Sequence, residues 1–90
     1  MFIVKVLFTD TAALQAALQN IRSQRQTLGD APPAIPAALD LLLQEEPRIE
    51  STEFAEKPAI AAVYGGFDPQ AAAIVEAAFL EAGALQVIQE

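Results

Sequence analysis

The chain contains no cysteine, no histidine and no tryptophan, and its single methionine is Met1. Without cysteine there is no disulfide framework and no thiolate to act as nucleophile or ligand. Without histidine there is no imidazole base for a catalytic triad, no Cys/His zinc site and no histidine-held haem. Positive charge is also scarce. Five Lys/Arg stand against twelve Asp/Glu, a formal charge of -7. Direct contact with nucleic acid needs clustered Lys/Arg, so none is expected. The same balance argues against an anionic membrane surface. No run approaches the ~20 apolar residues of a membrane span. The apolar start, Met1 to Phe8, is too short for a signal-peptide core, and no small-residue cleavage site follows it. The composition therefore predicts a cytoplasmic protein with no cofactor, no metal and no catalytic residues.

Ninety residues make one domain, and 53% hydrophobic with 19% charged residues is a globular composition. Alanine supplies 19 of the 90 residues. Each alanine buries little area, so the substantial core formers are Leu, Ile, Val and five Phe. A core this small is often completed by a second copy of the chain.

Residues 2–8, FIVKVLF, read as a strand that is apolar on both faces. Phe2, Val4, Val6 and Phe8 form one face; Ile3, Lys5 and Leu7 form the other. Such a strand belongs in the middle of a sheet. Thr9, Asp10 and Thr11 offer helix caps. Residues 11–28 follow with Leu14, Ala17, Leu18, Ile21, Arg25 and Leu28 near one stripe. Gly29 suits a helix C-terminus. Pro32, Pro33 and Pro36 break the helix, and Pro36 starts a short second one over 37–45 with Leu39, Leu42 and Leu43 inward. Residues 48–55 suggest an exposed edge strand guarded by charge. A turn at Glu56 and Lys57 leads to a buried strand over 59–64, which Gly65 and Gly66 end. Asp68 followed by Pro69 marks a helix start for two independent reasons, a capping carboxylate and a proline in the first helical position. Residues 69–82 place Ala71, Ala72, Ile74, Val75, Ala78, Phe79 and Ala82 on one stripe. Gly83 closes that helix and residues 84–89 form a last strand.

The order is β-α-(α)-β-β-α-β, an α+β class. It predicts a ferredoxin-like sandwich: a four-stranded antiparallel sheet with two long helices on one face and an extra short helix inserted before the second strand. The first and third strands, the most apolar, would lie at its centre. Within the single domain 1–90, residues 31–46 form the Pro-rich breaker and the inserted helix. One sheet face would then be open and yet apolar, which usually marks an interface. Either the inserted helix folds over that face, or two copies stack sheet to sheet.

Other candidates are weaker. Tyr64-Gly65-Gly66-Phe67-Asp68-Pro69 is either a glycine-lined approach to a helix N-terminus or simply a tight strand-to-helix turn. Glu45, Glu46, Glu50, Glu53 and Glu56 lack the spacing of a calcium loop and read as a solvated acidic edge. Gln15, Gln19, Arg22 and Gln26 recur on one face of the first helix and form the one stretch without acid. The possible interaction surface is therefore Ile3, Lys5 and Leu7 on the sheet with Gln15, Gln19, Arg22 and Gln26 on the helix.

The charge is uneven. Residues 1–30 sum to +1 (Lys5, Arg22 and Arg25 against Asp10 and Asp30), while residues 40–57 and 68–90 each sum to -4. The missing catalytic side chains and the surplus apolar surface together point to a non-enzymatic interaction or regulatory module, acting as a homodimer or on another protein. The acidic 40–57 segment would steer it toward basic partners, including a nucleic-acid-binding groove it could occupy as an inhibitor. The alternative is a small dimeric enzyme or ligand sensor with a pocket between sheet and helices, for which Tyr64, Asp10 and Arg22 are the candidate groups.

Overall fold

The computed structural model describes residues 2–90. Strand β1 (Phe2–Phe8) is followed by helices α1 (Thr11–Thr27) and α2 (Ala34–Gln44). Strands β2 (Arg48–Phe54) and β3 (Lys57–Phe67), helix α3 (Pro69–Glu81) and strand β4 (Gln86–Gln89) complete the chain. The class is α+β. The sheet is four-stranded and antiparallel throughout, in the order β2-β3-β1-β4, so the two most apolar strands occupy its centre.

The side-chain alternation of β1 divides the molecule into layers. Val4, Val6 and Phe8 are buried in one core cluster with Leu14, Ala17 and Ile21 of α1 and with Ala72, Val75 and Phe79 of α3. Leu39 and Leu42 of α2 join the same cluster. At this core sit four rings, with Phe8 and Phe79 5.9 Å apart, Tyr64 and Phe79 5.8 Å apart and Tyr64 and Phe67 6.4 Å apart between centroids. Helix α2 packs against α3 and α1. Its exposed leucine is Leu41, as the helical spacing requires. The inserted helix therefore thickens the helical layer and leaves the other sheet face uncovered, which removes the first of the two ways of hiding that face.

Both long helices start where capping chemistry dictates. The Asp10 carboxylate accepts from the Ala13 backbone N–H at 2.8 Å, and Asp68 does the same for Ala71 at 2.8 Å, with Pro69 next in line. Helix α3 ends on Gly83 at φ +97°, and the Ala84 N–H donates back to the Phe79 carbonyl at 3.0 Å.

Several boundaries differ from the sequence reading. Strand β3 begins at Lys57, because Phe54 pairs with Lys57 and the turn is Ala55-Glu56 rather than Glu56-Lys57. Strand β4 begins at Gln86 rather than at 84. Helix α2 begins at Ala34, so Pro36 stands inside its first turn, where a missing N–H costs no hydrogen bond. Helix α1 stops at Thr27 with Leu28 extended, and Gly29 takes no left-handed turn. Strand β3 does not end at Gly65-Gly66 but runs through both to Phe67. Val4 pairs with Tyr64 and Phe2 with Phe67, so two residues of β3 oppose the single Ile3 of β1. The extra residue is a bulge, and Gly66 at φ +85° supplies the left-handed backbone it needs. The bulge has a packing consequence. Residues three apart on a regular strand face opposite ways, yet Tyr64 and Phe67 both reach the core.

Candidate interaction surface

The open sheet face is built from alternate residues of all four strands. Register places Lys5 beside Val63 and Ile88, and Leu7 beside Ala61 and Gln86. On β2 the same face carries Arg48, Glu50, Thr52 and Phe54, opposite Val63, Ala61, Ala59 and Lys57. Its middle is nearly dry even without a covering layer. Leu7 is 6% and Ala61 4% exposed. Ile3, at 42% exposure, is the most open large apolar residue of the patch.

The charges of this face matter more than their number suggests. Lys5, Arg48 and Lys57 are three of the chain's five cations, and they meet Glu50 and Glu90. Arg48 holds Glu50 at 3.0 Å. The Lys5 ammonium turns toward Glu90 at 3.6 Å, at the edge beside β4, which leaves its aliphatic stem on the patch. Backbone hydrogen bonds between Ile3 and Glu90, at 2.7 and 2.8 Å, fix that corner. A chain of net charge -7 thus presents a face whose charges nearly cancel.

The seven residues of the sequence-derived surface are not brought together. Ile3, Lys5 and Leu7 lie on the open face. Gln15, Gln19, Arg22 and Gln26 are exposed on α1, which packs on the opposite side of the sheet. Sequence reasoning missed Val63, Ile88, Thr52 and Phe54, which the strand register adds to the patch. The signal was available in the period-two spacing of β2 and β3, but only once their pairing was known.

Tyr64, Asp10 and Arg22 are not all brought together. Asp10 caps one end of α1, while Arg22 lies twelve residues on, about 18 Å along the helix axis. Tyr64 is 2% exposed, and its buried hydroxyl has no hydrogen-bond partner. Burial pushes its pKa up to about 12, and the positive charge of Arg22 offsets part of that rise. A phenol so held is neutral at physiological pH and shielded from solvent. Gly65 and Gly66 serve the bulge. The rings of Phe8, Tyr64, Phe67 and Phe79 pack together in the core between sheet and helices.

The acidic edge does not converge either. Glu50 lies on the open face and Glu53 on the other, while Glu56 is in the hairpin loop. Among the described residues, no three potential metal-ligating side chains come together. The Arg25 guanidinium grips Asp40 through two hydrogen bonds, at 2.7 and 3.2 Å, tying α1 to α2. The hydrogen bond is the main reason that the Asp40 carboxyl is held below its ordinary pKa and the Arg25 guanidinium above.

A groove of about 280 Å³ runs between the three helices. Leu28, Ile35, Leu39 and Ile74 form its walls, and Ala77 and Ala78 lie along α3 within it. Gln24 and Glu81 are its polar lining residues. No described helix is long and apolar enough to cross a membrane. Compared with known protein families, curated proteins and solved structures, the chain matches none.

Proposed function

We propose that this protein is a non-enzymatic interaction module that works by contact, and that its open sheet face receives a second copy of the same chain. The observation that carries this reading is the charge-balanced apolar face on an otherwise acidic molecule. Two copies carrying -7 each repel one another wherever their acidic helical sides meet. The open face is where that repulsion is least, and Ile3, Val63 and Ile88 give it apolar surface.

Its size suits a weak pair. Four strands about 4.8 Å apart and roughly five residues deep give on the order of 300 Å² of flat area per copy. Side-chain relief raises the surface buried by a stacked pair to on the order of 1,000 Å², about the minimum for a biological interface and in the range of weak pairs. The edges offer less. Charges punctuate β2, and β4 is only four residues long, both of which discourage strand-to-strand joining. We read the architecture as ferredoxin-like with one inserted helix, its three helices departing from the plain two-helix unit. We also infer a cytoplasmic setting from the absence of cysteine, and no nucleic-acid or membrane contact from the charge. The acidic 40–57 segment suits a basic protein partner.

Light scattering over a micromolar concentration series tests the pairing. The expected mass is that of two chains. Val63→Lys places a charge in the middle of the patch, and the expected result is a single-chain mass with unchanged circular dichroism. A single-chain mass for the unaltered protein would overturn the proposal.

A further inference from the structure

We infer that the groove between the three helices is a binding site for a small amphipathic cation, an alkylammonium-type molecule with its chain inside and its charge at Glu81. The inference is independent of the homodimer, because the groove lies on the helical layer and shares no residue with the open sheet face. Three observations support it. The walls are aliphatic, contributed by Leu28, Ile35, Leu39 and Ile74, and short side chains at Ala77 and Ala78 leave room between them. A volume of about 280 Å³ is at the small end for ligand sites and fits a short apolar chain. The polar lining is acceptor-rich and carries one negative charge. Glu81 takes part in none of the ion pairs among the described residues. Gln24 already donates to the Asn20 side-chain oxygen at 2.6 Å, which leaves its own carbonyl oxygen to accept.

The neighbouring cation does not alter this sign. Arg25 follows Gln24 in sequence, but its guanidinium is held by Asp40 through two hydrogen bonds. No lysine or arginine lines the groove. A fatty carboxylate entering it would meet Glu81 with no compensating charge, whereas an ammonium meets a carboxylate. The acidic balance of residues 68–90 raises the local concentration of cations in the same sense.

The test is a titration of the isotope-labelled protein followed by amide NMR, with three probes of one chain length: n-octylammonium, n-octanol and octanoate. With n-octylammonium, saturable shifts are expected at residues 24–28, 35–39 and 74–81. Octanol should bind the same residues more weakly, and octanoate should not saturate. Glu81→Gln should weaken n-octylammonium about threefold, the size of a solvent-exposed ion pair, and leave octanol unchanged. Ala77→Leu fills the groove from an exposed position, where folding is not at risk, and should abolish binding of both. Equal binding of octanoate and n-octylammonium would overturn the charge assignment. Shifts scattered over the sheet, or binding that survives Ala77→Leu, would overturn the site.

Discussion

Tyr64 shows how a single residue carries both a packing gain and an electrostatic cost. Its ring joins the Phe67 and Phe79 contacts, while its hydroxyl is buried without a partner. Removing that hydroxyl keeps the ring and deletes the desolvated donor. Tyr64→Phe is expected to leave stability unchanged or to raise it by up to about 1 kcal/mol in urea unfolding at neutral pH. The phenol also predicts an alkaline weakness. Its folded pKa of about 12 lies above the ordinary value of 10.0. Below pH ~10 the phenol is neutral in both states, and its contribution is complete. Between about 10 and 12 the unfolded chain gives up the proton first, so stability falls by on the order of 2 kcal/mol. The difference between the native protein and Tyr64→Phe should therefore grow in favour of the variant when unfolding is repeated at about pH 11. A constant difference would mean that water reaches the hydroxyl. At Asp68 the effect has the opposite sign. The carboxylate caps α3 through the Ala71 N–H, and Asp68→Ala is expected to cost about 1 kcal/mol in the same assay.

At the scale of elements, the hairpin between β2 and β3 is built from unfavourable residues. Phe54 pairs with Lys57, so the loop is the two residues Ala55 and Glu56, both in left-handed conformation at φ +53° and +66°. Such a loop favours Asn-Gly, and neither alanine nor glutamate enters that region without cost. Replacing Ala55 and Glu56 by Asn and Gly is expected to raise stability by about 1–2 kcal/mol, seen as a higher thermal midpoint. An unchanged midpoint would contradict the strain assigned to the loop. This hairpin also shows why elements were legible and their joints were not. Asp68-Pro69 announces α3 because its cap acts within one turn of chain. The helical leucines of α2 announce their faces for the same local reason. The Ala55-Glu56 turn has no local signal and is imposed by the pairing of β2 with β3. Gly65-Gly66 looked like a stop for β3, since glycine weakens strands. The long-range register turned it into a bulge that points both Tyr64 and Phe67 into the core.

For the whole molecule, the layers decide what the surface can do. Three helices on one side of the sheet leave the other side with Leu7, Ala61, Val63 and Ile88 and with three of the five cations. The apolarity of both faces of β1 was readable from FIVKVLF alone. The neutrality of the open face was not, because Arg48, Glu50 and Lys57 reach it only through the pairing of β2 with β3. The helical stripe of glutamines was readable too, but the layering puts it on the far side of the molecule. The absence of cysteine now has a practical use, since one introduced thiol carries one spin label at a known place. With Lys5→Cys labelled on the open face, stacked copies bring the labels within about 25 Å, given a spacing of ~10 Å between packed sheets. With Gln19→Cys on α1, two intervening helix layers set the labels on the order of 40 Å apart. The most direct measurement is the dipolar distance between labels on two copies at micromolar concentration. A short distance for the Lys5 position and a long one for the Gln19 position is the predicted result. No dipolar coupling at Lys5, or a shorter distance at Gln19 than at Lys5, would contradict the claim that the open sheet face is where two copies meet.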